Sequence, residues 1–320
     1  MQKMHCYRFL AMELKLRALA TLNYVDIIAK EGSIRRAAEV LNITSTALNR
    51  RILSLEEELG YPVFERTASG VRLNTAGELL VNFTRKQNSD FDRMKSQMAD
   101  LAGVRRGHIT ISATPEVLRS LLPRQIAIYR NQHPGVTFSI KRQYRQDAET
   151  SLIDHVSDIA MTFEPVQSNQ FKVMAAIPQQ LHIVMSVDHP LASKDQIRLR
   201  DCIGHPIVLP TPENGIRQLV DASLLASPLP IAVIGETDSI DFLHAYLKEE
   251  MALSFEIPIG MTDTTSLIAR PIDPRDVRSG TLHIGQLRDR VLSVAAAKFL
   301  EQMMHNLERD YPDPANQTTV

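Results

Sequence analysis

EGSIRRAAEVLNITSTALNRRILSLEEELGYPVFERTASGVRLNTAG, residues 31–77, decides how the amino-terminal part of this chain is read. Gly32 suits the left-handed C-cap of a helix that leads up to it, in which Leu16, Leu19, Leu22 and Val25 recur at helical spacing. Ser33 can N-cap a second helix, IRRAAEVL, whose adjacent Ala37 and Ala38 let another backbone come close and whose end falls near Leu41 and Asn42. Thr44 can cap a third helix, STALNRRILSLEEELG, with Leu48, Ile52, Leu55 and Leu59 along one face and Gly60 after its end. Two short helices across a three-residue connection read as a helix-turn-helix.

If Leu48, Ile52 and Leu55 point inward, Ser45, Thr46, Asn49, Arg50 and Leu53 lie toward the opposite side, near the amino end that enters a major groove. Short hydroxyls and an amide there reach base edges or phosphates, and Arg50 can make a bidentate contact to guanine or pair with phosphate. A solvated helix face would look the same from this helix alone. The continuation adds a Val63-Phe64 pair, Arg66, a Gly-containing turn and the extended piece VRL, which together read as a wing. Arg66 and Arg72 flank its turn and can clamp phosphates there, although an exposed arginine is also simply solubilising. The candidate DNA-contacting set is Ser33, Thr44, Ser45, Thr46, Asn49, Arg50, Leu53, Arg66 and Arg72.

This stretch resembles the signature region of LysR-type transcriptional regulators, through Gly32-Ser33, Ala37-Ala38, Leu41, Leu55-Glu56, Leu59-Gly60, Phe64, Arg66, Leu73 and Ala76-Gly77. It departs at Ser45, where the family usually has Gln, and at Asn49, where it often has Ser. Both positions face DNA in the family. Asn74 stands where Thr is usual, and Asn caps a helix about as well. The resemblance implies binding to double-stranded promoter DNA, with the operator sequence left open by those departures. The family usually begins shortly before its first helix, near Met12 here, so residues 1–11 read as an extension.

From Asn74 onward Leu80, Phe83, Gln87, Phe91, Met94, Met98 and Leu101 follow coiled-coil steps of three and four with one polar position. Too little core lies beside this stripe within one chain, so it is expected to pack on a second copy, as the family's dimerisation helix does; packing on the carboxy-terminal unit is the alternative. A dimer presents two recognition helices to an interrupted inverted repeat. Gly103 and Gly107 bracket Arg105-Arg106 as a hinge.

Beyond it strands alternate with helices. HITISA, VTFSIKR and DIAMTF read as strands, with EVLRSLLPRQIAIYRNQHPG and DAETSLIDHV as helices between them; a second cycle runs through LHIVMSV, PIVLP, a helix at 215–225, PIAVIGET, DSIDFLHAYLKE and MALSFEIP. Such repeats imply parallel sheets in two α/β lobes. LLP, HPGV, DIAM, DHPLA and ETDS resemble the LysR effector domain, of periplasmic-binding-protein-like fold. KEEMALSFEIP lacks the two glycines the family commonly has near Glu250 and Ala252. The resemblance implies a small-molecule effector between the lobes, where strand ends and helix starts meet. Thr114 falls in the loop of the family's ligand-binding hydroxyl. Thr162, Thr211, Asn214 and Ser239 occupy analogous turns, where simple capping explains them equally well. Arg119 and Arg145 read as surface residues, leaving no charged anchor.

The whole is an α+β/α/β chain of several domains: a winged helix-turn-helix at 1–73, a linker helix and hinge at 74–106, an effector-binding domain at 107–310 and a tail at 311–320. Its bulk numbers agree. Residues 1–106 carry 17 Lys and Arg against 12 Asp and Glu, and 107–320 carry 19 against 25, a basic front and an acidic back. No apolar run approaches the roughly 18–20 residues that span a bilayer, and the start lacks a signal-peptide h-region, so a cytoplasmic protein is expected. Cys6 and Cys202 fit neither a disulfide framework nor zinc spacing, and no metal or cofactor is expected. HExxH, GxxxxGK[ST], GxSxG and GxGxxG are all missing, which argues against an α/β enzyme. A secreted solute-binding protein has no use for a helix-turn-helix. Partners are therefore promoter DNA, a second copy and a small metabolite, with pairing of dimers into tetramers through the effector domains and contact with RNA polymerase as further expectations. A regulator with a vestigial pocket is the alternative.

Overall fold

The computed structural model describes residues 21–68, 70–101, 106–164, 169–261 and 265–311, with side chains left aside at 99–101. The readings for Leu16, Leu19, Cys6, residues 1–11, the Gly103 to Arg105 hinge and most of the tail lie outside them. The chain divides into two compact units, Met1–Asp92 and Arg93–Val320. Among the described residues no helix is long and apolar enough to cross a membrane.

In the first unit α1 (residues 21–31) ends on Gly32 at φ +61°. α2 (Ile34–Val40) starts on Ser33 and stops through Asn42 at φ +53°, whose N–H and that of Ile43 bond back to the carbonyls of Glu39 and Ala38. This is the Schellman arrangement with Asn in the left-handed position, and it sets the turn between the two helices. α3 (Ser45–Leu59) starts on Thr44 and ends on Gly60. Ala37 and Ala38 are fully buried, and Leu48, Ile52 and Leu55 close over Val25, Ile28, Val63 and Val81. β1 (Phe64–Thr67) and β2 (Gly70–Leu73) form the wing. Gly70 is required there: a Cβ would stand 2.2 Å from the Gly32 carbonyl oxygen.

α4 (Thr75–Leu101) starts on Asn74, whose Oδ1 accepts from the Gly77 N–H at 2.9 Å. A different face of its first half packs within its own chain, beside the stripe expected to meet a second copy. Val81 and Thr84 are buried, Arg85 pairs with Asp26 at 2.8 Å, and Asn88 bonds Asn23 on α1 at 2.6 Å. Phe83, Phe91, Met94 and Met98 of the seam remain exposed.

In the second unit a five-stranded sheet runs β4-β3-β5-β12-β6, made of β3 (Gly107–Ala113), β4 (Val136–Arg142), β5 (Ile159–Phe163), β6 (Phe171–Gln179) and β12 (Gly280–Leu287). β3 is parallel to β4 and β5, whereas β12 is antiparallel to β5 and β6. The sheet is thus mixed, not parallel throughout. The second lobe sets β7 (His182–Ser186) antiparallel to both β10 (Ser254–Glu256) and β11 (Leu267–Pro271), and pairs β8 (Pro206–Pro210) in parallel with β9 (Ala232–Thr237). An isolated bridge, Ile207 with Leu253, links the two parts. The sequence reading assigns nothing to β6, β11, β12 or α10 (Val294–Asp310), which carry the chain between lobes and close the first sheet.

The single helix expected at 116–132 is two, α5 (Pro115–Leu118) and α6 (Leu121–Gln132). Pro123 is the physical reason, since its ring excludes the carbonyl of residue 119 that a continuous helix would place against it. α7 (Arg145–Ile153), α8 (Gly215–Ala226) and α9 (Ile240–Glu249) complete the layers. α9 stops on Glu250 in an extended conformation at φ −123°, so the missing glycines cost it no left-handed cap. α10 packs on the first sheet, and the Tyr129 hydroxyl donates to the Ala295 carbonyl at 3.0 Å.

Candidate functional site

Two sites follow, one in each unit. In the head the buried stripe of α3 turns Ser45, Thr46, Arg50 and Leu53 outward, all exposed, with Asn49 half-buried beside them. Thr44 Oγ1 accepts from the Ala47 N–H at 3.2 Å and Ser33 Oγ from the Arg36 N–H at 3.5 Å, so both hydroxyls hold helix starts. Among the described residues Arg50 and Arg66 take part in no ion pair, whereas Arg72 is held by Glu65 at 2.8 Å. In the wing register Glu65 faces Arg72 and Arg66 faces Val71. Strand alternation therefore sets Arg66 and Arg72 on opposite faces of the ribbon, and they do not form one clamp. Arg51, which the sequence reading passed over, bonds the Tyr24 hydroxyl and stacks 5.3 Å over its ring. Glu56 accepts from the Val63 N–H at 2.7 Å and so fixes where the wing leaves α3.

In the second unit the parallel strands β3, β4, β8 and β9 each end at a helix start, on Thr114, Tyr144, Asn214 and Ser239. Asn214 Oδ1 caps α8 through the Ile216 N–H at 2.8 Å, and Ser239 Oγ caps α9 through the Phe242 N–H at 3.2 Å. Thr114 is buried yet its hydroxyl makes no cap bond, and neither it nor the Thr211 hydroxyl has a well-aligned hydrogen-bond partner among the described residues. These ends meet across a cavity of about 20 Å³ lined by Glu116, Asn214, Asp238, Ser239 and Glu256 on its polar side. That is room for about one water-sized group. Thr114 and Thr211 adjoin its wall through Pro115 and Pro210 without lining it, and Thr162 is not on its wall. Met161 and Phe163 enter the main core, and Thr162 shares the other face of β5 with Ala160, which packs against Ala148 and Leu152 of α7.

The lobes are in contact around this cavity. Asn214 Nδ2 donates to Glu116 Oε1 at 2.6 Å, and Arg142 donates to the Asp238 carbonyl at 2.8 Å and to its carboxylate at 3.2 Å. Gly260 allows the approach from below, since a Cβ there would stand 2.3 Å from the Glu116 carbonyl oxygen. Arg119 lies 3.1 Å from His244, which in turn bonds Glu256. Arg119 and Arg145 are thus both partly enclosed, not surface residues as expected, and burial holds the Arg145 guanidinium below its usual range. The charged groups in the wall are acids that sequence reasoning missed, Glu116 the most deeply placed among them. Glu116 is 3% exposed, and burial pushes its carboxyl up, opposed by its own backbone N–H, the Thr114 hydroxyl and the Asn214 amide and reinforced by Glu256. Cys202 lies elsewhere, fully buried, with its thiol pushed up to about 12 by that burial, which leaves it unreactive.

Known proteins agree with this arrangement. Residues 19–78 match the model of the bacterial regulatory helix-turn-helix protein, lysR family, and residues 102–308 match that of the LysR substrate binding domain. YbhD of Escherichia coli K12, an uncharacterized HTH-type transcriptional regulator, is 26% identical over 297 residues, 92% of this chain and 93% of its own. Full-length CbnR complexed with its target DNA has the same fold, with a TM-score of 0.63 at 14% identity over 90% of this chain and 99% of its own. The effector-binding domain of QuiR, solved with shikimate, gives a TM-score of 0.56 at 16% identity over 64% of this chain and 99% of its own. The matched families and relatives are regulators, not enzymes. This chain belongs to the LysR family of DNA-binding transcriptional regulators, with a helix-turn-helix head and an effector-binding domain.

Proposed function

We propose that a dimer paired through α4 binds an interrupted inverted repeat in promoter DNA, and that a small molecule between the two lobes changes how it is bound. The observation that carries this is the outer face of α3, where Arg50, without an ion-pair partner among the described residues, stands with exposed Ser45 and Thr46 at the helix's amino half. Asn49 and Leu53 complete the groove face. Ser33 and Thr44 set helix starts against phosphate, Arg66 reaches phosphate from the wing, and Arg72 does so only by leaving Glu65.

The exposed seam residues of α4 support pairing with a second copy. Tetramers through the effector domains, action in the cytoplasm and contact with RNA polymerase complete the reading. The effector site is the cavity lined by Asn214 and Ser239, with Thr114 and Thr211 next to its lining residues Pro115 and Pro210 and Thr162 outside its wall. The cavity in this structure is smaller than a metabolite, so a ligand enters as the lobes part, and one that prefers either closure shifts the dimer's geometry on DNA.

The test separates the two sites. Arg50→Ala is expected to weaken binding to selected promoter fragments, and Thr114→Val to leave ligand-free binding intact while abolishing any effector response. Equal loss of DNA binding in both variants would refute this division.

A further inference from the structure

One acid of the effector cavity has no counter-charge among the described residues. Glu116 lines the wall at 3% exposure; Oε1 accepts from the Asn214 amide, Oε2 is buried without a well-aligned partner among the described residues, and the groups that favour the ionised carboxyl, its own backbone N–H, the Thr114 hydroxyl and the Asn214 amide, are all neutral. A buried acid without a counter-charge is costly to ionise. The other acids of the wall have partners: Asp238 is held by Arg142, and Glu256 by His244 with Arg119 behind it. Among the described residues no Lys or Arg lines the cavity. The enclosed space takes a single water-sized group. A carboxylate brought against Glu116 and Glu256 would meet like charge where water is scarce.

We propose that this cavity recognises a protonated nitrogen, the ammonium head of a small amine, with Glu116 as its counter-charge and Asn214 and Ser239 as flanking polar groups. The inference rests on the interlobe cavity being the effector site. The carboxylate accepts the N–H bonds, charge-assisted and therefore stronger than bonds to a neutral wall. The remainder of a larger amine extends outward between the lobes.

The test is a thermal-unfolding series on the full-length chain with methylammonium, ethanolamine and putrescine, against acetate and glycolate, with tetramethylammonium as a cation that lacks an N–H. A melting temperature that climbs with primary-amine concentration is expected, with no such rise for tetramethylammonium or the carboxylates. Glu116→Gln, close in shape, is expected to lose the response by about tenfold or more in apparent affinity. Ser239→Ala, away from the carboxylate, gives a second variant that weakens it. Absence of an amine response, or one that persists unchanged in Glu116→Gln, overturns the proposal. A carboxylate response lost in Asn214→Ala would overturn the ligand class and keep the cavity as effector site, whereas a response indifferent to every cavity variant would move that site elsewhere.

Discussion

At the scale of single residues, Arg50 and Glu116 differ in how far sequence can expose them. Arg50 is legible because α3 has a firm helical period: once Leu48, Ile52 and Leu55 are inward, its direction follows. Arg50→Ala is expected to cost about 1–3 kcal/mol per half-site, which a fluorescence-anisotropy titration on promoter DNA would read. Arg72 could not be resolved the same way, because its pairing with Glu65 depends on the wing register. Glu116 gives no signal at all. An acid in the first turn of a helix is ordinary, and what buries it is Asn214 and Gly260 from the other lobe. Burial raises its carboxyl above the unfolded value, so the folded chain holds the extra proton and this residue's contribution falls as pH rises from about 4.3 through the folded value. Glu256 and Tyr144 act on it electrostatically and Asp238 lines the same cavity; Arg142 pairs with Asp238, and Arg119 and His244 stand beyond Glu256. Glu116→Gln is therefore expected to gain melting temperature relative to the parent as pH is raised from 4 to 8, and a difference flat with pH would contradict that burial. Asp276 has the opposite sign: its bond to Arg198 holds it low, so stability is present above about pH 4 and fades as pH falls to the folded value.

Among elements, helices with caps are legible in the sequence, whereas the antiparallel strands β6 and β12 are not. Ser33, Thr44 and Asn74 mark helix starts by chemistry that works locally. β6 contains Pro178 and only weak alternation, and the alternation of β12 breaks at the register shift between Ile284 and Gly285, so neither shows an unbroken period of two. α4 was read as one apolar stripe, yet it serves two neighbours: Val81 and Thr84 face its own head, and Phe83, Met94 and Met98 face outward. Phe83→Ser with Met94→Ser is thus expected to yield a monomer by sedimentation velocity while the head keeps its helical circular dichroism. A dimer that survives both changes would place the interface off this helix. Gly77→Ala attacks the other face, because its Cβ would stand 2.1 Å from the Val63 carbonyl oxygen; a loss of about 1–3 kcal/mol in the head's unfolding is expected.

For the whole molecule, the division of charge matches the proposed division of labour: a basic front to meet phosphate and an acidic back for the effector cavity. The proposed pairing through α4 would present two α3 helices, and DNA that suits them would carry two half-sites. The most direct test is a DNase footprint of the full-length chain on DNA upstream of its own and neighbouring genes, across a salt series. Protection of an interrupted inverted repeat is expected, resistant to competitor DNA, weakening as salt rises and lost in Arg50→Ala. Protection that Arg50→Ala leaves unchanged, or salt-sensitive binding with no preferred site, would contradict recognition of a promoter through α3.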